Sequence, residues 1–286
     1  MAKIQNCDSS ILKLTTEQKE YAAKVLNEHD KNRETAIVEI KRWIQENDLR
    51  ARTDDLFILR FLRACKFNLE KTKTKIRNYQ MQRAKMPEWY GNRDPLQPKL
   101  QELLDLGICL PLRKLDNEGR MIILARVTYN PDIFALADVF KASSVSIDLA
   151  LRDSVEASLY GLVIIIDLQY ATLRHLAQIR PGILMNMVHA WQGCYPIRIQ
   201  LLNYVNTPEF TMMLTRFFLS DKLKQRLHIY THKTTHECFT NIPANILPVE
   251  YGGTDGTIQE LTEYWKKTVE ENRDWFIDDE NYKPVL

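Results

Sequence analysis

The first residues here with the types to do chemistry are His228, His232 and His236, with Cys238 two positions on. Four-residue spacing aligns metal ligands only on a helix. The first two histidines lie in or beside a run of strand character, and the third follows a Lys-Thr-Thr turn. They read as polar histidines at a sheet edge, and no metal site is expected. Asp167 closes the run Gly-Leu-Val-Ile-Ile-Ile-Asp, a place where α/β enzymes often put a catalytic group. No nucleophile or histidine goes with it, so acceptance of backbone hydrogen bonds at a strand end is the favoured reading. The chain has no GxSxG, GxxxxGK[ST] or GxGxxG motif, and its nine glycines leave little backbone for a phosphate cradle. No catalytic residue is expected.

A basic group stands out instead. Lys222 and Arg226 are four apart, Lys224 lies between them, Arg216 and Lys233 flank them, and only Asp221 opposes. By itself such a stretch is a solvated face. Just before it, Pro208–Phe218 is too apolar for a plain surface helix and reads as a cover over something greasy. Beside such a cover, an anionic lipid surface becomes the better partner.

The elements that must position these groups follow from pattern. Leu14–Leu26 suits a short helix, and Lys31 to Tyr90 is helical throughout. Ile37, Ile40, Trp43 and Ile44 form one stripe. Thr53 or Asp54 caps a helix with inner face Leu56, Leu59, Phe61 and Leu62, and Asn68 caps the next, which Met86-Pro87 ends. Ile108–Leu115 and Met121–Val127 are strands joined by an Asp116–Arg120 hairpin. A helical stretch runs from Asn130 to Ala157. Gly161–Asp167 is a strand covered on both faces, as in parallel sheets. Pro181–Trp191 is a helix, Arg198–Asn206 a strand, Arg226–Thr231 a strand, and Ile258–Phe276 an amphipathic helix. This alternation predicts an α/β core behind an all-helical N-terminal part.

Composition sets the bounds. The chain has 286 residues, 45% hydrophobic and 27% charged, which is globular and not disordered. Its 39 Lys+Arg against 37 Asp+Glu leave a net charge of +2, too small for binding nucleic acid by bulk charge. Five scattered cysteines without a CxxC pair suit a reducing compartment. The N-terminus has no long apolar run of the signal-peptide kind. The longest stretch free of Asp, Glu, Lys and Arg, Pro181–Ile197, carries prolines and polar residues and makes a poor membrane span. A cytoplasmic monomer, peripheral and transient on membranes, is expected.

Apolar stripes exceed what a plain core explains. Met187, Ala190 and Trp191 share one helix face. Phe140, Ser143, Ser146 and Ile147 share another. Leu162, Ile164 and Ile166 share a strand face. Small residues among the large ones leave room for a guest and offer a few hydroxyls.

Two motifs carry a family likeness. Phe57-Ile58-Leu59-Arg60-Phe61-Leu62-Arg63-Ala64-Cys65-Lys66-Phe67 resembles the N-terminal signature of CRAL-TRIO lipid-binding proteins, and Leu247-Pro248-Val249-Glu250-Tyr251-Gly252-Gly253 resembles the segment that closes their lipid domain. Gly161–Asp167 looks like the central strand of that family and Asn203–Pro208 like its strand-to-cover junction. The likeness runs from about residue 31 to 276 and is nearest to the branch of tocopherol and retinaldehyde carriers. It implies an N-terminal extension (1–30), a helical domain (31–90), a mostly parallel-sheet lipid-binding domain (91–253) with a mobile helical gate, and a C-terminal helix and tail (254–286). It implies a pocket at Phe140, Ser143, Ser146, Ile147, Leu162, Ile166, Met187, Ala190, Trp191 and Leu202, to which Ile164, Phe210 and Phe217 are added. Phosphoinositide contacts are implied at Arg198, Lys222 and Arg226, with Lys224 beside them. Cys65 and Gln200 stand where a tocopherol-carrying member has arginines, and Arg216-Phe217-Phe218-Leu219 replaces its Lys-Pro-Phe-Leu.

The resemblance therefore implies a non-enzymatic carrier with no cofactor beyond a bound tocopherol, retinoid or carotenoid. A lipid sensor that docks on a protein through its N-terminus or through Trp275, Phe276 and Tyr282 is the alternative, and an enzyme acting on a lipid is the third.

Overall fold

The computed structural model describes residues 14–208 and 220–284. Local caps set the first helices. Helix α1 (Thr16–Tyr21) begins at Thr15, whose hydroxyl accepts from the Gln18 amide at 3.2 Å while the Gln18 side chain accepts from the Thr15 amide at 3.0 Å. It continues as a π-helical turn, Ala22–Leu26. Helix α2 (Asp30–Glu46) buries Ala36, Ile37, Ile40 and Ile44, the expected stripe, and Trp43 lies half-buried under the Arg77 guanidinium. Asp54 caps α3 (Asp55–Ala64) by accepting from the Phe57 amide at 2.8 Å, and Asn68 caps α4 (Leu69–Lys85) by accepting from the Lys71 amide at 2.9 Å. A single inner face was expected for α3. Instead Phe57, Ile58, Leu59, Phe61 and Leu62 are all buried and Leu56 is half-buried, because α2, α4 and the later helix Val155–Tyr160 all pack on it. Each such side chain contributes about 1.5–3 kcal/mol by leaving water. Pro87 opens α5 (Pro87–Tyr90), and α6 (Pro98–Asp105) follows.

The core is mixed α/β, with one five-stranded sheet in the order β1 (Cys109–Pro111), β2 (Met121–Arg126), β3 (Leu162–Asp167), β4 (Ile199–Val205), β5 (Leu227–Ile229). β1 pairs antiparallel to β2 through the expected hairpin, and the other pairs are parallel. The single helix expected over 130–157 is two: α7 (Leu136–Asp153) and α8 (Val155–Tyr160). Ser154 leaves helical geometry and caps α8, its hydroxyl accepting from the Ala157 amide at 3.1 Å. The Asn130 carbonyl, accepting from the Ile133 and Phe134 amides, holds the preceding residues in turns. Helices α9 (Leu173–Gln178) and α10 (Pro181–His189) lead from β3 to β4, and α10 runs on into a π-helical turn, Ala190–Cys194. Around β5 stand α11 (Asp221–Lys224) and α12 (Thr235–Phe239). The expected C-terminal helix also divides, at Asn272, into α13 (Ile258–Glu271) and α14 (Arg273–Asp279). The helix expected over Pro208–Phe218, with Phe210, Arg216 and Phe217, lies outside the described residues from position 209 on.

Far-apart segments are tied at three places. Leu14, Ala22 and Leu26 pack with Leu159 of α8. Helix α4 is fastened to the α10 region: Lys75 donates to the carbonyls of Gln192 (2.8 Å) and Tyr195 (3.2 Å), and Gln82 donates to that of Asn186 (2.8 Å). The third tie is ionic. Buried Asp279 meets Arg83, Arg93 (2.6 Å) and Arg52 (3.1 Å), and Arg93 also meets Asp148 of α7 at 2.5 Å. The three guanidinium groups outweigh the cost of burial and hold the Asp279 carboxyl down at about 2. The C-terminal aromatic residues named for the sensor reading are engaged within the chain, Trp275 and Tyr282 half-buried. Phe276 is fully buried, and Arg52 lies over the rings of Trp275 (5.0 Å) and Tyr282 (4.4 Å).

Candidate functional site: an apolar face and a basic corner

The sheet brings the expected strand residues together by register. Leu162, Ile164 and Ile166 share a face with Met121, Ile123 and Ala125 of β2, their cross-strand partners. On the other side Leu162 pairs with Ile199, but the register then slips by one, so that Ile164 pairs with Leu202 and Ile166 with Tyr204. Without the slip Ile164 would pair with Leu201. The bulge at Gln200 therefore decides that Leu202 and Tyr204 lie on this face. Gln200 itself turns inward and donates to the Tyr160 carbonyl at 3.0 Å.

Coverage of this apolar surface is uneven. Leu162 and Ile164 are buried, whereas Ile166 and Tyr204, toward the C-terminal ends of the strands, are half-buried. Helix α10 is apolar along most of its length yet buries no side chain completely. Ile183 and Met187 are half-buried, Trp191 beyond them is too, and Met185 is exposed, while Ala190 is sealed. Open α/β sheets take ligands at the C-terminal ends of their strands, which is where Ile166 and Tyr204 lie.

The α7 residues divide. Phe140 stacks on Trp89 at 4.0 Å and meets Tyr90 edge-on at 5.8 Å. Ile147 is buried. The Ser143 hydroxyl donates to the Val139 carbonyl one turn back at 2.8 Å and hydrogen-bonds Cys109, whose thiol burial pushes up to about 12. Ser146 lies on the side of α7 that meets α6 and α13, where with Leu103, Leu104, Ile108 and Trp265 it lines a cleft of about 10 Å³, the room of a single water. Sequence reasoning missed Trp89, Tyr90 and Tyr204. Tyr204 alternates in step with Leu202 and was legible from that. The partnership of Trp89 with Phe140 had no local signal.

The basic residues form a corner that spans both parts of the chain. Burial lowers the Lys222 pKa, and the like charges of Arg226, Lys66, Arg198 and Lys71 lower it further. Lys66 and Lys71, at the α3–α4 junction, were not anticipated, since nothing in local spacing links them to Lys222. Among the described residues no carboxylate pairs with Lys66, Lys71 or Lys222. The other expected members are partly committed. Arg198 donates to the Leu159 carbonyl and Arg226 to the Ile199 carbonyl, and Lys224 pairs with Asp221 at 3.3 Å.

The groups first considered for chemistry are placed otherwise. Both Asp167 oxygens are occupied: one accepts from the Gln169 amide (2.9 Å) and from Asn206 (2.8 Å), the other from the Tyr251 hydroxyl (2.6 Å). Asp167 thus anchors the Leu247–Gly253 motif to the end of β3. In that motif a Cβ on Gly253 would lie 1.9 Å from the Leu247 carbonyl oxygen, so only glycine fits. His228 is exposed beside Tyr230, His232 shares a hydrogen bond with Asn206 at 3.1 Å, and burial pushes the Cys238 thiol up to about 12. Among the described residues no three His, Cys, Asp or Glu side chains gather as metal ligands, and no helix is long and apolar enough to cross a membrane.

Comparison with known proteins matches these parts. A family model described as the CRAL/TRIO domain matches residues 106–253, and one described as a Pinta-like UBA domain matches residues 29–100. The human and mouse proteins named alpha-tocopherol transfer protein-like are 28% identical over 228 residues, which is 78% of this chain and 65% of theirs. Rat clavesin-2 is 29% identical over 208 residues, 71% of this chain and 62% of its own. The matched stretch is thus just under two thirds of these relatives' length. The crystal structure of Sfh5 superposes with a TM-score of 0.53 at 13% identity, covering 86% of this chain and 98% of that one, a likeness of fold.

Proposed function

We infer function from one premise: the chain belongs to the CRAL/TRIO domain family. The reading that follows is a non-enzymatic carrier that takes one small hydrophobic lipid against the face of β3, β4 and α10 and exchanges it at anionic, phosphoinositide-containing membranes. The observation that carries it is incomplete apolar cover: Ile166 and Tyr204 at the C-terminal ends of β3 and β4 are half-buried, and so are Met187 and Trp191 along and after α10. A lone half-buried side chain is ordinary, but several large apolar ones left half-covered on β3, β4 and the α10 segment favour a partner for this part of the fold. Relatives named for tocopherol transfer support a guest of that class, a tocopherol, retinoid or carotenoid.

Magnitudes limit the mechanism. A guest that buries about 500 Å² of apolar surface gains roughly 12 kcal/mol relative to water, but almost nothing relative to a bilayer, which is equally apolar. Exchange must therefore be tipped at the membrane by differential contacts. The corner of Lys66, Lys71, Arg198, Lys222 and Arg226 supplies them, at about 1 kcal/mol per basic residue near an anionic surface. Lys66 and Lys71 make up for the charges absent at Cys65 and Gln200.

The test is lipid transfer between donor and acceptor vesicles, with and without phosphatidylinositol bisphosphate. Lys222→Ala with Lys66→Ala is expected to slow transfer to the charged vesicles by up to about 30-fold and to lower its salt sensitivity, while lipid capacity in solution stays unchanged. Equal rates for variant and wild type on charged vesicles would reject the membrane corner. A protein that retains no extractable lipid after expression or loading would reject the carrier.

A further inference from the structure

At the junction of α4, α5, α7 and the π-helical turn after α10, three tyrosines meet. Tyr79 and Tyr195 are edge-on at 5.6 Å, Tyr90 and Tyr195 lie 6.4 Å apart, and Tyr90 also meets Phe140. Tyr90 is 1% exposed and Tyr195 6%. The hydroxyls of both are buried with no hydrogen-bond partner. An unpaired buried hydroxyl costs stability, and two on neighbouring rings, while Arg93 and Asp148 pair with each other, call for an explanation.

We propose that Tyr90 and Tyr195 form a polar subsite that receives the hydroxyl or carbonyl end of the guest, with Phe140 as the apolar wall beside it. The proposal rests on the carrier reading and narrows it to lipids with one hydrogen-bond acceptor at an end. Both rings stay neutral donors at physiological pH, since burial raises both phenols far above their ordinary range and Asp148 adds to the rise. The site therefore offers two buried O–H donors beside the ring of Phe140. A hydrocarbon guest leaves both unmet, and a hydroxylated or carbonyl-bearing guest satisfies them, so that discrimination arises from the site's own unpaired groups.

The experiment loads delipidated protein with three lipid pairs that differ only by hydroxyl: retinol with deoxyretinol, zeaxanthin with β-carotene, cholesterol with 5-cholestene. Retained lipids are extracted and quantified by mass spectrometry. Wild type is expected to enrich the hydroxylated member of at least one pair about tenfold. The Tyr90→Phe/Tyr195→Phe variant is expected to bring that ratio close to one and still retain the hydrocarbon. The lipid-free variant is expected to melt no lower than lipid-free wild type, because it loses hydroxyls that had no partner. Three results would overturn the subsite and leave the carrier standing: both members of every pair retained equally by wild type, an unchanged ratio in the variant, or a lipid-free variant that melts several degrees lower, which would show a structural partner such as a buried water. Retention of none of the six lipids by wild type would overturn both.

Discussion

Replacing Asp279 by asparagine keeps the shape of the side chain and removes its charge. Asp279 is 3% exposed and faces Arg52, Arg83 and Arg93, while Asp148 also contacts Arg93 and the half-exposed Asp278 also contacts Arg52 at 3.0 Å. After the substitution Arg93 would keep Asp148 and Arg52 would keep Asp278, but Arg83, 1% exposed at its side chain, would lose its carboxylate. Breaking a buried pair in this way costs about 3–5 kcal/mol, because the partner charge is left desolvated, and on a chain of this size that lowers the melting temperature by on the order of 10 °C. A second estimate comes from protonation. With its carboxyl held at about 2 against an ordinary aspartate value of 3.8, Asp279 contributes about 2 kcal/mol. A depressed carboxyl stabilises the fold fully above its unfolded value and ceases to as pH falls through its folded value. That contribution is therefore present above about pH 4 and is lost toward pH 2. The assay is urea unfolding followed by circular dichroism from pH 7 down to pH 3, with Trp275 fluorescence as a local reporter through its contact with Arg52. Wild type is expected to lose stability over the acid limb, and Asp279→Asn is expected to lack that component. Arg83→Met in the Asp279→Asn background is expected to recover part of the loss, so the two penalties should not add. A loss under 1 kcal/mol for Asp279→Asn, or strict additivity with Arg83→Met, would refute the reasoning.

Two further substitutions test the frame of the site. Gly161→Ala is expected to cost about 3 kcal/mol in urea unfolding, because Gly161 has φ +90° and an added Cβ would meet the Arg198 carbonyl oxygen at 2.4 Å. Tyr251→Phe removes the 2.6 Å donor to Asp167 and is expected to cost about 1.5–3 kcal/mol, with faster amide exchange across Leu247–Gly253 and little change at α2.

What the sequence revealed followed the range of the forces involved. Helix caps act over three residues: Asn68 was plain, and the first cap was narrowed to Thr53 or Asp54, of which Asp54 is the one that caps. The Ile-rich run of β3 was plain because a strand covered on both faces leaves no polar alternation. The helix breaks at Ser154 and Asn272 were hidden inside continuous apolar periodicity. In each case a polar residue that also suits a helix interior takes a cap or non-helical geometry instead. The face shared by Ile164 and Leu202 was anticipated, but the one-residue slip that produces it was not, since register depends on both strands at once. The ionic cluster and the Trp89–Phe140 stack join residues 50 to more than 200 positions apart. No local pattern encodes such pairs. The same holds for Lys66 and Lys71, whose meaning depends on what the fold sets beside them.

The bonds from Lys75 and Gln82 to three backbone carbonyls around α10 have a consequence for modular engineering. The amino-terminal helices are a splint on the α10 segment, joined to it by two side-chain donors of α4. Grafting those helices from one relative onto the sheet of another would keep this splint only where both donors travel with the graft, and residues 106–253 excised alone would leave the three carbonyls to water and the α10 segment untied.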